Sequence, residues 1–587
     1  MEAAMTGPDA GLPLVIGVTG HRDLVPELLP ELRAQVAAFF ADLRRDYPHT
    51  RLMLMSPLAT GADQLVAVEY LALPADARAG LVAVLPMPAR LFKQDFSATE
   101  LTEFERLLGA AQQVLEIPGP SGADTTLIDH PGPARDRQYQ ICGQMISRHC
   151  QILIALWNGR SSDAVGGTAD IVSFRQTGVA LGVTGAEGGD TLLDLEDRGP
   201  VFQISAPRLR DDLTAPQDGS AGTSAGRWLY PPMVRGDMLD PQTYFSGLWT
   251  ALDRFNRDLA SLDNSAMRVA NSANQLMPDA SVSTLPTGLL LLRRRYAAAD
   301  ALAISLQRRW RHVQRALHVL VACALISIES AQLDREIGAG RLAPWLFSAA
   351  LLFMLAAWGV FRSGDRRRLQ DRYQDYRALA EGLRVQLFWS LGGVTERAAD
   401  RYLGRLRNAL DWIRKGVRNA SICTLDMHER AQHRLVHAWW VRSQFEYYRR
   451  GSDARRERLA AIASSFLLAV AAIAGLVLLV AVWWESEDEA ANRAAAIALC
   501  LALVPAGLAG VISHYAEKMA FGEHAKLYRR MTRLFDYAQE LLTSAVRTGD
   551  EDQATQVITE LGLAALEENG SWVLLHRERP LEMLHPG

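Results

Sequence analysis

The stretch Leu14–Asp23, LVIGVTGHRD, decides how the first part of the chain folds. Its uncharged aliphatic run LVIGV reads as a strand buried on both faces, and the polar TGHRD that follows ends it. A helical pattern then runs to about Arg45, and the unit repeats. RLMLMS (Arg51–Ser56) is a second strand, followed by the loop PLATGAD and a helix to about Leu73. LVAVL (Leu81–Leu85), VLEI (Val114–Ile117), ILIALW (Ile152–Trp157) and VFQI (Val201–Ile204) complete the set. Strands alternating with helices predict an α/β domain over residues 13–210, built on a parallel sheet covered on both faces.

In such sheets ligands sit at the carboxyl ends of the strands. The polar and glycine-rich residues gather there. Thr19-Gly20-His21-Arg22-Asp23 follows the first strand, and Thr60-Gly61-Ala62-Asp63 follows the second. Gly166-Gly167-Thr168-Ala169-Asp170 follows the strand ending at Trp157 and opens a helix. Glycine lets backbone amides approach an anion closely, and a helix N-terminus adds partial positive charge. Three such loops on one edge predict a phosphate or ribose site. Arg22 would pair a phosphate, and Asp63 or Asp170 would accept from ribose hydroxyls. Taken singly, GAD and GGTAD are ordinary helix starts and His21 a satisfied turn residue, so the reading rests on the combination. The chain has no Walker A motif, and no GxGxxG follows the first strand.

The second half is apolar in blocks. Leu342–Phe361, Leu459–Trp484 and Ala494–Ser513 each supply the roughly 20 apolar residues that a membrane helix needs. A fourth run, Ala316–Ser330, is shorter and carries His318 and Glu329; snorkelling at its ends extends the span to about residue 333. Arg308, Arg309, Arg311 and Arg315 precede the first run, and Arg362, Arg366, Arg367 and Arg368 follow the second. Arg449, Arg450, Arg455, Arg456 and Arg458 precede the third, while both short connections are poorer in arginine. This bias puts both termini and the middle segment in the cytoplasm, with Trp345, Trp483 and Trp484 at the interfaces. Two stripes of heptad spacing follow the second and fourth spans: Leu369, Tyr373, Tyr376, Ala380, Leu383, Leu387, and Leu527, Met531, Leu534, Ala538, Leu541. They read either as packing within one protomer or as helix-to-helix assembly of several.

VIGVTGHRD, SPLATGADQLVA, the strand ending LWNG and the following GGTADIV together resemble the SLOG domain, related to the LOG and DprA proteins. The resemblance covers about Pro13–Arg208. It implies a Rossmann-like fold that binds a nucleotide- or NAD-derived signal, or hydrolyses a nucleotide to release a base. RYQDYRALAEGLRVQLFWSLGG and HAWWVRSQFEYY resemble SLATT modules, paired-span effectors. That likeness implies a prokaryotic conflict system in which a nucleotide signal prompts membrane disruption or pore formation. One departure stands out. LOG-type hydrolases carry PGGxGTxxE with a catalytic final carboxylate, whereas this chain has GGTAD and no glutamate at that offset. Binding is therefore expected rather than catalysis.

Composition sets the remaining bounds. The formal net charge of -4 gives no ground for nucleic-acid binding. The five cysteines are scattered, without CxxC spacing, and are expected to be free thiols rather than disulfides or metal ligands. Met1–Leu12 lacks the features of a signal peptide and is expected to be disordered. The layout read from sequence is then the domain 13–210, a linker 211–288, a first membrane module 289–450 (spans 316–333 and 342–361) and a second 451–587 (spans 459–484 and 494–513). Within the linker, Asp211–Arg227 is expected to be a flexible loop, Tyr244–Leu262 a helix and Asn264–Thr287 irregular. The basic patch Arg414, Lys415, Arg418 is expected on a solvated face or against anionic lipid. The whole reads as a homo-oligomeric, multi-pass protein of a bacterial inner membrane, with the lipid bilayer and a nucleotide-derived small molecule as partners.

Overall fold

A computed structural model of the chain describes residues 10–120, 126–179, 181–182, 198–209, 211, 226–232, 240–337, 340–402, 410–425, 431–451, 453–483 and 489–577. Residues 1–9, most of the expected loop 211–227, Trp484 and the acidic residues after it lie outside these. The chain divides into two compact units. The first joins Met1–Ala298 to residues 379–390 and 395–430; the second holds Ala299–Ala378, Leu391–Val394 and Ala431–Gly587.

The first unit is built on a seven-stranded sheet. Its strands are β1 (Leu14–Gly20), β2 (Leu52–Ser56), β3 (Arg78–Leu85), β4 (Gln113–Glu116), β5 (Ile152–Trp157), β6 (Val201–Ser205) and β7 (Arg227–Leu229). They lie in the order β4-β3-β2-β1-β5-β6-β7, parallel except for β7, which pairs antiparallel with β6. Every side chain of β2 is buried, as a parallel strand covered on both faces requires. Helices α1 (Leu29–Asp46) and α2 (Ala62–Leu71) follow β1 and β2, and α3 (Ala98–Ala110), opened by a Ser97/Glu100 capping box, leads into β4. Helices α4 (Pro133–His149) and α5 (Thr168–Thr177) flank β5 and supply Cys142, Ile146, Ile171 and Val172 to a core shared with Val15, Met55 and Val84. On α1, Phe39 stacks on Phe202 of β6 at 4.6 Å.

The described residues of the linker expected at 211–288 belong to this unit, and the helix expected at Tyr244–Leu262 is α6 (Pro241–Ala260). The strand β7 and the helix α7 (Ser265–Leu276) are more regular than composition predicts. The irregular stretch expected at 264–287 is thus mostly helix; Val269, Ala273 and Leu276 are its buried face, and burial outweighs its polar composition. Asn256 of α6 ties this segment to the sheet, donating to Leu12 O at 2.9 Å and to Thr50 Oγ1 at 3.0 Å.

Three helices span the sequence boundaries of the units or lie beyond the first apolar run: α8 (Thr287–Glu336), α9 (Ala343–Arg366) and α10 (Leu369–Leu391). Next comes α11 (Asp411–Ser421), which lies in the first unit: Asn419 Nδ2 donates to Pro13 O at 3.3 Å, and Ile422 O accepts from Gln113 at 3.1 Å. The patch Arg414, Lys415, Arg418 is therefore not a solvated face. Arg414 is 5 % exposed and pairs with Asp411, Arg418 donates to Arg148 O, and Lys415 lies over the Phe245 ring. Sequence proximity to the membrane helices gave no sign that this segment returns to the sheet.

The second unit is helical. It includes α12 (Asp453–Trp483), α13 (Glu489–Lys518), α14 (Phe521–Thr548) and α15 (Glu551–Arg577). Among the described residues, four helices are long and apolar enough to cross a membrane: α8, α9, α12 and α13. The short first run is thus part of a 50-residue helix. Leu351, Leu352, Leu355 and Trp358 on α9, like Phe466, Leu468 and Ile473 on α12, are more than half exposed, an arrangement suited to hydrocarbon rather than water. Where α12 meets α13, the Ser464 hydroxyl lies 2.8 Å from that of Ser513 and 3.1 Å from Ala509 O. Gly507 lets Leu325 approach α13, since a Cβ there would lie 2.3 Å from Leu325 Cδ2.

The two heptad stripes differ in how far they face inward. The first, Leu369 through Leu387, is buried throughout, which is the within-protomer reading. The second is shifted: α14 buries Phe521, Ala525, Met531, Phe535, Ala538, Leu542 and Ala545, leaving Leu527, Leu534 and Leu541 less covered than expected. The aromatic anchor Phe535, stacked on Tyr448 at 5.6 Å, sets that face.

Candidate functional site

The sheet order reverses between β1 and β5: β2, β3 and β4 lie on one side of β1, and β5 and β6 on the other. Loops leaving the carboxyl ends of strands on either side of such a point diverge and open a crevice. The three glycine-containing loops leave β1, β2 and β5, which are neighbours in the sheet, so all three reach one edge.

Two of them nest. Gly61 has φ 81°, in the left-handed region, and a Cβ on it would lie 2.4 Å from Arg22 O. Gly20 is equally confined, with Ala62 Cβ 2.3 Å from where its own Cβ would be. The two glycines let the loops close face to face, and the amide of Ala62 donates to His21 O at 3.0 Å. Ala62 itself is fully buried and so serves to hold the loops together.

His21 crosses the switch point. Its amide donates to Leu156 O at 3.0 Å, and its ring, 3 % exposed, accepts at Nε2 from the Asn158 amide at 3.2 Å. Arg208 Nε lies 3.0 Å from Nδ1 and 3.7 Å from the Asp23 carboxylate. Asp211 accepts from Asn158 Nδ2 at 2.9 Å and from the Arg208 amide at 2.8 Å. The chain after β6 thus closes one side of the crevice. Asn158, Arg208 and Asp211 escaped the sequence reading; a polar Asn directly after an apolar strand, in LWNG, was the available signal.

Arg22 is exposed, and its guanidinium lies 4.9 Å above the Tyr139 ring of α4. Asp63 is the opposite: it is buried, and its Oδ1 has no hydrogen-bond partner among the described residues. Burial pushes its carboxyl up to about 7, against the smaller lowering effects of the Arg22 charge and the Ala59 backbone. Thr60 and Thr19 are half-buried beside it in sequence and strand register.

The third loop attaches elsewhere. Asp170 is 1 % exposed; Oδ2 accepts from Gln140 Nε2 at 2.7 Å and from the Gly166 amide at 2.9 Å, and Oδ1 from the Leu181 amide at 3.1 Å. Those bonds occupy it inside the protein, so it is placed to shape the loop rather than to meet a ribose. Gly166 (φ 73°) packs against Asp136 O and Gln140 N of α4, and Thr168 is buried. Gly167, with nothing closer than Ala164 O to its missing side chain, opens α5. Helix α4 therefore links the loops, touching the first through Tyr139 and the third through Gln140.

Chemically, the arrangement offers one exposed cation beside a buried carboxyl that exchanges a proton near neutrality. Among the described residues no cluster of three or more His, Cys, Asp or Glu could hold a metal ion. No family model matches the chain, and neither the curated proteins nor the solved structures yield a match.

Proposed function

We propose that the chain is a membrane effector gated by a nucleotide-derived ligand, which binds at the β1/β5 switch point of a Rossmann-like, SLOG-type domain. The observation that carries this reading is the convergence of the loops after β1, β2 and β5 on the carboxyl edge of a parallel sheet, in a chain with four membrane-length helices. Arg22 pairs the phosphate, backbone amides of the glycine loops line it, and Asp63 accepts from a hydroxyl. Helices α8 and α10, each continuous across a unit boundary, carry the change to SLATT-like paired spans in an inner membrane, where several copies perturb the bilayer. A ligand does this only by binding one state better than the other.

The test uses the full chain in liposomes loaded with a self-quenched dye. NAD, ADP-ribose and nucleoside monophosphates are added outside to inside-out vesicles. Release with one of them, lost in Arg22→Ala, is the expected result. Leakage that is independent of every nucleotide removes gating.

A nucleotide-cleaving enzyme is the second reading, favoured by one observation: the Asp63 carboxyl, pushed up to about 7 by burial, has the proton affinity of a general acid or base. Free base accumulating in the same samples, abolished by Asp63→Asn, would favour it over gating.

A further inference from the structure

The first unit has a second recess, at the opposite edge of the sheet from the glycine loops. It lies by the amino ends of β1, β2 and β3, with a volume of about 1300 Å³, and α6, α7 and the first turns of α8 complete its wall. Small-molecule clefts commonly measure about 300–1,000 Å³, so the space accommodates a molecule of nucleotide or short-lipid size.

Its charge is one-sided. Four arginines line it (Arg44, Arg51, Arg294 and Arg295) against a single carboxylate, Asp76. Two are held by the backbone: Arg51 donates to Arg78 O, and Arg295 to Ala420 O at 3.1 Å. The other two, Arg44 and Arg294, make no hydrogen bond or ion pair among the described residues, although both are half-buried. Guanidinium groups partly withdrawn from water and left without a counter-charge favour an anion, and their planar forks suit phosphate oxygens. Met53, Val82, Val269, Leu290 and Leu291 give it an apolar stretch of wall, and polar side chains such as His49 and Gln112 line it too.

We infer that this recess binds a phosphomonoester with an apolar or aromatic body. The phosphate meets Arg44 and Arg294, and the body lies against the aliphatic wall. Arg294 and Arg295 belong to α8, so the occupant grips the start of the helix that runs on as the first membrane-length segment. The inference is independent of the site at the carboxyl edge.

Calorimetric titration of the full chain in a non-ionic detergent decides it, with AMP, dihexanoyl phosphatidic acid and inorganic phosphate as probes. At least one organic phosphate is expected to bind about tenfold more tightly than inorganic phosphate. The pair Arg44→Gln/Arg294→Gln should weaken it by about tenfold or more, and Arg294→Lys, which keeps the charge but not the fork, by severalfold. Arg106→Gln, exposed on α3, should leave it unchanged, and Asp63→Asn separates out any AMP taken up at the glycine-loop edge. Preference for AMP assigns a soluble ligand, and preference for the phosphatidic acid a lipid. Three results overturn the inference: inorganic phosphate binding as tightly as both organic probes, binding that survives every arginine substitution, or binding lost in Asp63→Asn alone.

Discussion

Two ionisable side chains in the first unit, Asp63 buried and Lys415 half-buried, respond to pH in opposite senses. Burial raises the Asp63 carboxyl to about 7, above the usual carboxylate value near 4. The folded chain then holds that proton more tightly than the unfolded chain, so the contribution to stability falls as pH rises from about 4 to about 7. Asp63→Asn is expected to be more stable than the parent at pH 8, by on the order of 2 kcal/mol, and to lose that advantage near pH 4. Chemical denaturation at the two pH values measures it. Burial lowers Lys415 to about 8, with Arg175, Arg414 and Arg418 adding to the effect and Asp411 opposing it. Here the unfolded chain binds the proton more tightly, so stability rises as pH climbs from about 8 to about 10.5. Lys415→Met, which keeps an unbranched chain but drops the ammonium that lies over Phe245, should stabilise the unit by on the order of 1 kcal/mol at pH 7 and by less at pH 10. At this scale the sequence was half legible. Gly20 and Gly61 announce a tight loop because few other residues permit one. Nothing in the sequence marks Asp170 as internally saturated, since its partners Gln140 and Leu181 are set by tertiary contact.

Among the elements, the central strands β1, β2, β3 and β5 were legible because a strand covered on both faces leaves an uninterrupted aliphatic run, while the edge strand β4 buries only Leu115 and showed as a shorter run. The seventh was not: Arg227–Leu229 is three residues long at the end of a glycine- and serine-rich stretch. The long helix α8 tests the proposed route between ligand and membrane. Arg308 is exposed near its middle, so proline there removes a helical hydrogen bond without disturbing a core contact. Arg308→Pro should cost about 3 kcal/mol of helix stability. Nucleotide binding should persist while ligand-dependent dye release disappears, and Arg308→Ala should retain both. Release that survives the proline would exclude α8 as the connecting element.

On the scale of the molecule, the first unit is discontinuous in sequence, and this was the least legible feature. Composition places 379–430 among membrane-flanking segments; contact places 379–390 and 395–430 with the sheet. Ile422 is fully buried in the same core as Val15 and Met53, and Asn256 and Asn419 bind the backbone at Leu12 and Pro13. A fragment ending at residue 210 lacks all three. It should aggregate, or bind a hydrophobic dye and melt without a cooperative transition, whereas the full chain in detergent melts cooperatively. A well-folded monomeric fragment would show that the returning segment is dispensable.

That discontinuity also fixes an order of events during synthesis. A ribosome delivers residues 410–425 only after both α8 and α9 have been made. Until then the floor of the sheet near Pro13 and Gln113 lacks its cover, however early its strands have paired. The nascent first unit is thus held unfinished until the first two membrane-length helices exist, and its completion reports that they have been delivered.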